Sequence, residues 1–435
     1  MTDERRGPGE GRDGPVKADL RATAVPDATL FGPSRPHDRS SVRRTNLALV
    51  LRILRDAGPR SRARIATDTG LPKPTVTSLV AELVALGLAG EGTTRREGAV
   101  GRPGTLVHVD GRDICGIGVE ISTSYVHVLA LTLNGDHAYE HRSPVAAGQA
   151  GADAVLDLTA RAVADCTTAL ARAGVRPVGL TLAVPGVVDT AAGVVAYAPA
   201  LGWRDVPVTA GLRSRLADLP LPLTVENDAK LGAVAEYLRA QDTQVHDMVC
   251  VTGERGIGAG IISDGRLLRG SAGFAGEVGH MPLDPERRAC VCGRHGCWET
   301  MVGLDAILRL AADPDDQVHD AGVELATRLA ELHRRAESGD TRTLEAMDRV
   351  ADGLGLGIAL LADLLNPGLV VLGGYFTYIG DLMLDRVREV VGERVIAPDG
   401  GGCEVVLSTL GFAAAARGGA HLALDAVYQD PGGVA

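Results

Sequence analysis

The sequence predicts an α/β protein with an N-terminal winged helix-turn-helix followed by a larger two-lobed body. Three observations carry this. Between residues 47 and 83 apolar side chains recur at helical spacing in a basic segment. From residue 114 onward, short β-branched runs alternate with amphipathic stretches, the pattern of an α/β sheet protein. The strand, hairpin and helix order that opens near 114 opens again near 248, which points to a duplicated lobe. At 435 residues, two or three domains are expected. The expected division is a disordered tail over 1–38, a winged helix-turn-helix over 39–110, and a body over 111–435. Within the body, lobe one covers about 111–224 plus a C-terminal helix, and lobe two about 225–411.

Composition excludes several classes. A hydrophobic fraction of 45% suffices for sizeable cores. No run of 18 apolar residues occurs, so no membrane span is expected. The first residues are charged and rich in Gly and Pro, without the apolar stretch of a secretory signal. Cys115, Cys166, Cys250 and Cys403 are scattered, as expected of thiols in a reducing cytoplasm. The net charge is −11, yet residues 39–108 hold 12 Lys or Arg against 5 Asp or Glu. A basic module on an acidic body favours a local contact with a polyanion.

Taken in order, Leu47, Val50, Leu51 and Leu54 make the first helix, which Gly58-Pro59 ends. Ser61 is a candidate cap for a second short helix, and Gly70 turns the chain. A third helix opens near Pro72–Pro74, buries Val76, Leu79, Val80 and Leu83, and stops at Gly87. Its other face carries Lys73, Thr75, Thr77 and Ser78, side chains able to reach base edges or phosphates in a major groove. Leu88-Ala89 and Thr105–Val109 read as the two strands of a wing. Arg95, Arg96 and Arg102 lie between or beside them, placed to enter a minor groove.

In the body, Ile117–Ile121 and Val126–Leu133 read as a hairpin, 151–173 as an amphipathic helix, and Val178–Val184 as a strand. Leu223-Thr224-Val225 is a short strand delivering Glu226-Asn227-Asp228 to a helix start, where Asp228 is a candidate cap. Ligands in α/β sheets sit outside such strand ends. Met248–Thr252 leads into a glycine-rich stretch, 253–260, and then a strand at Ile261-Ile262.

The densest chemistry lies at Gly276-Glu277-Val278-Gly279-His280 and at Cys290, Cys292 and Cys297. One His and three Cys in a Gly- and Arg-rich loop form a ligand set for tetrahedral zinc. Four protein ligands leave no open position, so the zinc is expected to be structural.

Glu226-Asn227-Asp228-Ala229, Gly256-Ile257-Gly258-Ala259-Gly260, Gly276–His280, the cysteine cluster with Glu299, and Asn366-Pro367-Gly368 occur here in the order found in the ROK family of repressors and sugar kinases. The chain closely resembles that family over roughly 113–430, and with its winged helix it resembles the NagC/Mlc/XylR type of transcriptional regulator. The resemblance implies the actin-like, two-lobe sugar-kinase fold. It also implies that Asn227, Asp228, Glu277, His280 and Glu299 bind sugar hydroxyls, with Asp228 at the position of the kinase base.

Two departures bear on function. Family kinases carry Asp-x-Gly-Gly-Thr in the first phosphate loop, where this chain has Glu120-Ile121-Ser122-Thr123-Ser124. Loss of both glycines hinders close backbone approach to a phosphate. In the second loop Glu254-Arg255 replace the usual Gly-Thr, which sets a carboxylate where a triphosphate would lie. Ala200 stands where many relatives have Asn, leaving the sugar open. The expectation is a cytoplasmic, DNA-binding regulator and not an enzyme. It would act as a homodimer on an operator, as a repressor, under the control of a sugar or sugar derivative. An active sugar kinase, or a regulator governed by a protein partner, is the alternative.

Overall fold

The fold, a computed structural model, describes residues 39–95, 104–240, 245–396 and 403–433. The expected tail over 1–38 lies outside the described residues, as do Arg96 and Arg102.

Helix α1 (Arg39–Ala57), the two-residue strand β1 (Arg60–Ser61), α2 (Arg62–Thr69) and α3 (Lys73–Ala85) precede a hairpin of β2 (Ala89–Arg95) and β3 (Gly104–Val109). The three strands form one antiparallel sheet ordered β1-β3-β2. Ser61 caps α2, its Oγ accepting from the Arg64 amide at 3.3 Å, and Gly70 closes that helix at φ 70°. Leu47, Val50, Leu51, Leu54, Ile65, Val76, Leu79, Val80 and Leu83 are all buried in one cluster, as their spacing requires. The module does not close this core alone: Ile114, Leu133 and Val178 enter from the body, and Leu424, Val427 and Tyr428 from the C-terminal helices.

The first lobe is built from β4 (Ile114–Ile121), β5 (Tyr125–Thr132), β6 (His137–Pro144), α4 (Ala147–Ala173) and β7 (Arg176–Val184). A small sheet of β8 (Val187–Asp189), β9 (Val194–Ala198) and β10 (Trp203–Val206) follows, then α5 (Val208–Arg215), β11 (Leu223–Asn227) and α6 (Asp228–Arg239). The main sheet runs β11-β7-β4-β5-β6. Strand β11 continues through Asn227 against β7, so Glu226 and Asn227 still belong to this sheet.

The second lobe holds β12 (Met248–Gly253), β13 (Ile257–Ser263) and β14 (Arg266–Leu267). Helices α7 (Glu299–Val302), α8 (Leu304–Ala311), α9 (Leu325–Glu337) and α10 (Thr341–Leu365) come next, then β15 (Leu369–Gly374), α11 (Phe376–Ile379), α12 (Leu384–Arg394) and β16 (Glu404–Leu407). Its sheet runs β14-β13-β12-β15-β16. In each sheet the first strand of the lobe sits centrally, with two antiparallel neighbours on one side and two parallel ones on the other. The lobes therefore share one topology, the duplication anticipated from the order of segments.

Only 254–256 of the glycine-rich segment after β12 is a turn, and 257–260 belong to β13. Cβ atoms at Gly258 and Gly260 would stand 2.8 and 2.3 Å from those of Ala229 and Ala233, so these glycines let α6 lie directly on the strand. Helix α13 (Ala414–Ala423) packs against α6 and against β4, β5 and β7, and α14 (Asp425–Gln429) continues it to the N-terminal module. A Cβ at Gly418 would stand 1.8 Å from the Leu231 carbonyl oxygen, so α6 and α13 touch backbone to backbone. Among the described residues no helix is long and apolar enough to cross a membrane.

Candidate functional site

A cavity of about 640 Å³ opens between the lobes, at the C-terminal end of β11 and the N-terminal ends of α6 and α13. Asn227, Asp228, Glu277, His280 and Glu299 all line it, so the structure brings the expected sugar-site residues together. Asn227, not Asp228, caps α6: its Oδ1 accepts from the Lys230 amide and its Nδ2 donates to the Gly186 carbonyl, both at 3.0 Å. The Asp228 carboxylate accepts from the Ala229 amide at 2.8 Å and borders the cavity. Burial, with Glu120 as a like-charged neighbour, pushes Asp228 up to about 7.

Glu277 and His280 are held by the backbone around them. A Cβ at Gly276 would stand 2.1 Å from the Ala259 carbonyl oxygen, and one at Gly279 2.1 Å from that of Ile257. The Gly-Glu-Val-Gly-His segment thus lies flush on β13 and turns through Val278–His280. Burial raises the Glu277 carboxyl, and His280 and Lys230 nearby hold it back in part.

His280, Cys290, Cys292 and Cys297 converge, with their ligand atoms all within 4.8 Å of one another. Cys290 Sγ is 3.7 Å from His280 Nδ1 and 3.1 Å from Cys292 Sγ, and Cys292 Sγ is 3.7 Å from Cys297 Sγ. All three thiols are free. Sulfur ligands at about 2.3 Å from a tetrahedral ion lie about 3.8 Å apart, so this set fits a metal ion. The loop is shaped for it: the Cys290 amide donates to the Arg294 carbonyl at 2.9 Å, with Gly293 at φ 86° and Gly296 at φ 82° making the turns. Trp298, fully buried, anchors the loop by donating from Nε1 to the Gly353 carbonyl at 2.7 Å. Glu299 Oε1 lies 2.7 Å from Cys290 Sγ and 3.6 Å from His280 Nδ1, so this acid borders both the cluster and the cavity.

Three further lining positions bring acids together, Glu120, Asp228 and Glu254. Glu120 accepts from the Tyr125 hydroxyl at 3.1 Å. The Ser122 hydroxyl, from the first lobe, donates to Glu254 in the second. Burial and the Glu120 charge push Glu254 up to about 8. Sequence reasoning missed the Ser122–Glu254 contact, because nothing local connects positions so far apart in the chain. It also missed the tether of Arg269 Nε to buried Glu226, at 2.6 Å, and of Lys230 Nζ to the Gly273 carbonyl, at 2.5 Å, which fasten the 268–276 loop to the first lobe and α6.

On α3, Lys73, Thr77 and Ser78 are exposed and Thr75 is half-buried, so the four side chains share the helix's outer side. Ser78 is steadied by Arg43 at 3.4 Å, and Arg43 pairs with Glu82. Only the backbone of Arg95, the last residue of β2, is described.

A helix-turn-helix module joined to a kinase-like cleft defines a class of protein, a transcriptional regulator built on a sugar-kinase scaffold. Residues 116–426 match the ROK family and residues 45–91 the IclR helix-turn-helix domain, and the chain belongs to the ROK family. It is 29% identical over 361 residues to the xylose repressor of Caldicellulosiruptor bescii, covering 81% of this chain and 88% of that one. It is 31% identical over 252 residues to the glucokinase of Halalkalibacterium halodurans, covering 56% of this chain and 76% of the other. A crystal structure of a ROK family transcriptional regulator, a homologue of the E. coli MLC protein, superimposes with a TM-score of 0.70 at 23% identity, covering 89% of this chain and 97% of that one, and shows the same fold. The glucokinase match covers a smaller share of this chain than the repressor match does. The chain thus joins a helix-turn-helix domain to a ROK domain, and a relative it matches over most of its length is named a repressor.

Proposed function

We propose that the protein represses transcription by binding an operator as a homodimer, and that a sugar bound between the lobes sets its affinity for DNA. The observation that carries this is the cavity lined by Asn227, Asp228, Glu277, His280 and Glu299, in a chain that also bears a helix-turn-helix. Carboxylates accept from vicinal hydroxyls, and the Asn227 amide keeps one N–H beyond its bond to Gly186. The domain plan remains 39–110 for DNA and 111–435 for the sugar, in a cytoplasmic protein. Lys73, Thr75, Thr77 and Ser78 would read the major groove, with Arg95, Arg96 and Arg102 in the wing. The relative named a xylose repressor makes D-xylose the first sugar to try.

His280, Cys290, Cys292 and Cys297 would hold a structural zinc ion, His280 through Nδ1. Bound there, zinc supplies rigidity to the loop that carries Glu299 and His280, and the other imidazole nitrogen stays available to a sugar hydroxyl.

Contacts along α6 and α13 support a route from sugar to DNA. Asp228 begins α6, while Tyr237 near its end feels the charges of Asp56 and Arg55 on α1. Ala414 and Ala415, at the start of α13, line the cavity. Beyond its end, the Arg52 guanidinium donates to the Tyr428 carbonyl at 3.2 Å, and Arg55 stacks over the Tyr428 ring at 4.5 Å. A change in lobe angle would tilt α1, by no more than the sugar's differential affinity for the two states allows.

The test is recovery of genomic DNA fragments by purified protein, repeated with a sugar panel. The expected result is a few palindromic sites whose recovery one sugar abolishes. Asp228→Asn should keep DNA binding and lose the sugar response. No sequence enrichment at moderate salt would sink the proposal.

A further inference from the structure

We propose that Glu254, clasped to Ser122 across the cleft and backed by Glu120 and Asp228, makes one side of the cavity a wall that excludes anions, so that the effector is an unphosphorylated, uncharged sugar. The inference rests on the sugar-binding reading above and adds the chemical class of the ligand.

Ser122 lies in the β4–β5 turn and Glu254 in the β12–β13 turn. These are equivalent turns of the duplicated lobes, each following the central strand of its sheet. A kinase cradles phosphates on backbone N–H groups at such turns. Here one amide of each turn is already engaged: the Ser122 amide donates to the Tyr125 carbonyl at 2.9 Å, and the Glu254 amide to the Gly256 carbonyl at 3.3 Å. The two turns also offer side chains that bond each other, Ser122 Oγ to Glu254 Oε1. The slot between them is thereby bridged, and the group bridging it is an acid.

Charge points the same way. Glu120, 5% exposed, faces Tyr125 through one oxygen, and its other oxygen makes no hydrogen bond but lies 3.9 Å from Nδ1 of the buried His127. Asp228 and Glu254 both feel the Glu120 carboxylate, and Glu254 also feels Asp228. Of the three arginines at the cavity, one is paired with acids. Arg288 is tied to Asp284 and Glu286, and Arg309 donates to the carbonyls of Thr300 and Asp305. Arg255 is the exposed cation beside the wall. A phosphate ester would have to desolvate against three carboxyl groups, in a slot bridged by the Ser122–Glu254 bond. A neutral sugar brings only hydroxyls, which donate to a carboxylate and accept from a protonated carboxyl.

The experiment is calorimetric titration of the full-length protein with D-xylose, D-glucose and N-acetyl-D-glucosamine, each against its phosphate ester, and with ATP. The expected result at pH 9, where Asp228 and Glu254 have lost their protons, is that the sugar which binds does so at least about 100-fold more tightly than its phosphate ester, the effect of a few like charges at close range. At pH 9, above the values to which Asp228 and Glu254 are raised, the ratio of the two constants should shrink about 10-fold in Glu254→Gln, the equivalent of one pKa unit of repulsion; at pH 6, where both acids hold their protons, it should barely change. A phosphate ester that binds the unmodified protein as tightly as its parent sugar overturns the proposal. Should no sugar bind in either form, the sugar reading falls, and ATP then tests the wall alone. Binding of ATP to Glu254→Gly but not to the unmodified protein upholds the wall. Equal binding of ATP to both removes it.

Discussion

Asp228 and Glu254 hold protons that they would release if the chain unfolded. Their carboxyls titrate near 3.8 and 4.5 in the ordinary state and near 7 and 8 here, raised by burial and by Glu120. Groups raised in the folded state contribute stability in full below their unfolded values, and that contribution is lost as pH rises through the folded ones. We therefore expect the thermal midpoint to fall between pH 5 and 9, and to fall less steeply in Glu254→Gln. A midpoint flat across that window would show that neither acid is raised. The metal cluster gives a second prediction at this scale. Cys290→Ser combined with Cys292→Ser should abolish bound zinc, read by mass spectrometry of the native protein, and uncouple the sugar response. Full zinc content in that variant would refute the ligand set. The cluster was legible because its thiols crowd into one short segment. The Ser122–Glu254 clasp was not, since a contact between two loops leaves no periodicity in either. The α6 cap moved from Asp228 to Asn227 because β11 runs two residues further than its β-branched core suggests.

Among the elements, α6 and α13 are joined by the closest approach, with no side chain between their backbones at Gly418 and Leu231. Gly418→Ala should destabilise the protein by about 3 kcal/mol, because the nearest atom is a backbone carbonyl that cannot rotate away. Differential scanning calorimetry would read the loss, and an unchanged midpoint would mean the helices can part freely. Tyr428→Ala tests the far end of the same route. It removes the ring under Arg55 and part of the module's core, and we expect sugar to bind as before while operator release weakens. Sugar affinity and operator affinity, measured separately, would distinguish this from general unfolding. Periodicity made α1, α2 and α3 legible, because each presents one buried stripe. It misled at β13, where glycines that suit a phosphate loop instead serve a strand lying under a helix.

At the scale of the whole molecule, the two lobes repeat one topology and the DNA module is fastened to the end of the second helix between them. The proposed dimer would place two copies of α3 on a palindrome, so half-site spacing should be a multiple of about one helical turn of DNA. Analytical ultracentrifugation on operator DNA should find two chains per site, and one chain per site would end the dimer reading. Segment order disclosed the duplication, but the site between the lobes draws on residues from Glu120 to Ala415, and its assembly depends on long-range packing. The buried seat of Leu424, Val427 and Tyr428 under the winged helix has one more consequence. The module completes its core only when helices far downstream of it have left the ribosome. A chain cut short before Leu424 would carry every DNA-reading residue on an unfinished platform, so a prematurely terminated product could not occupy the operator in place of the intact protein.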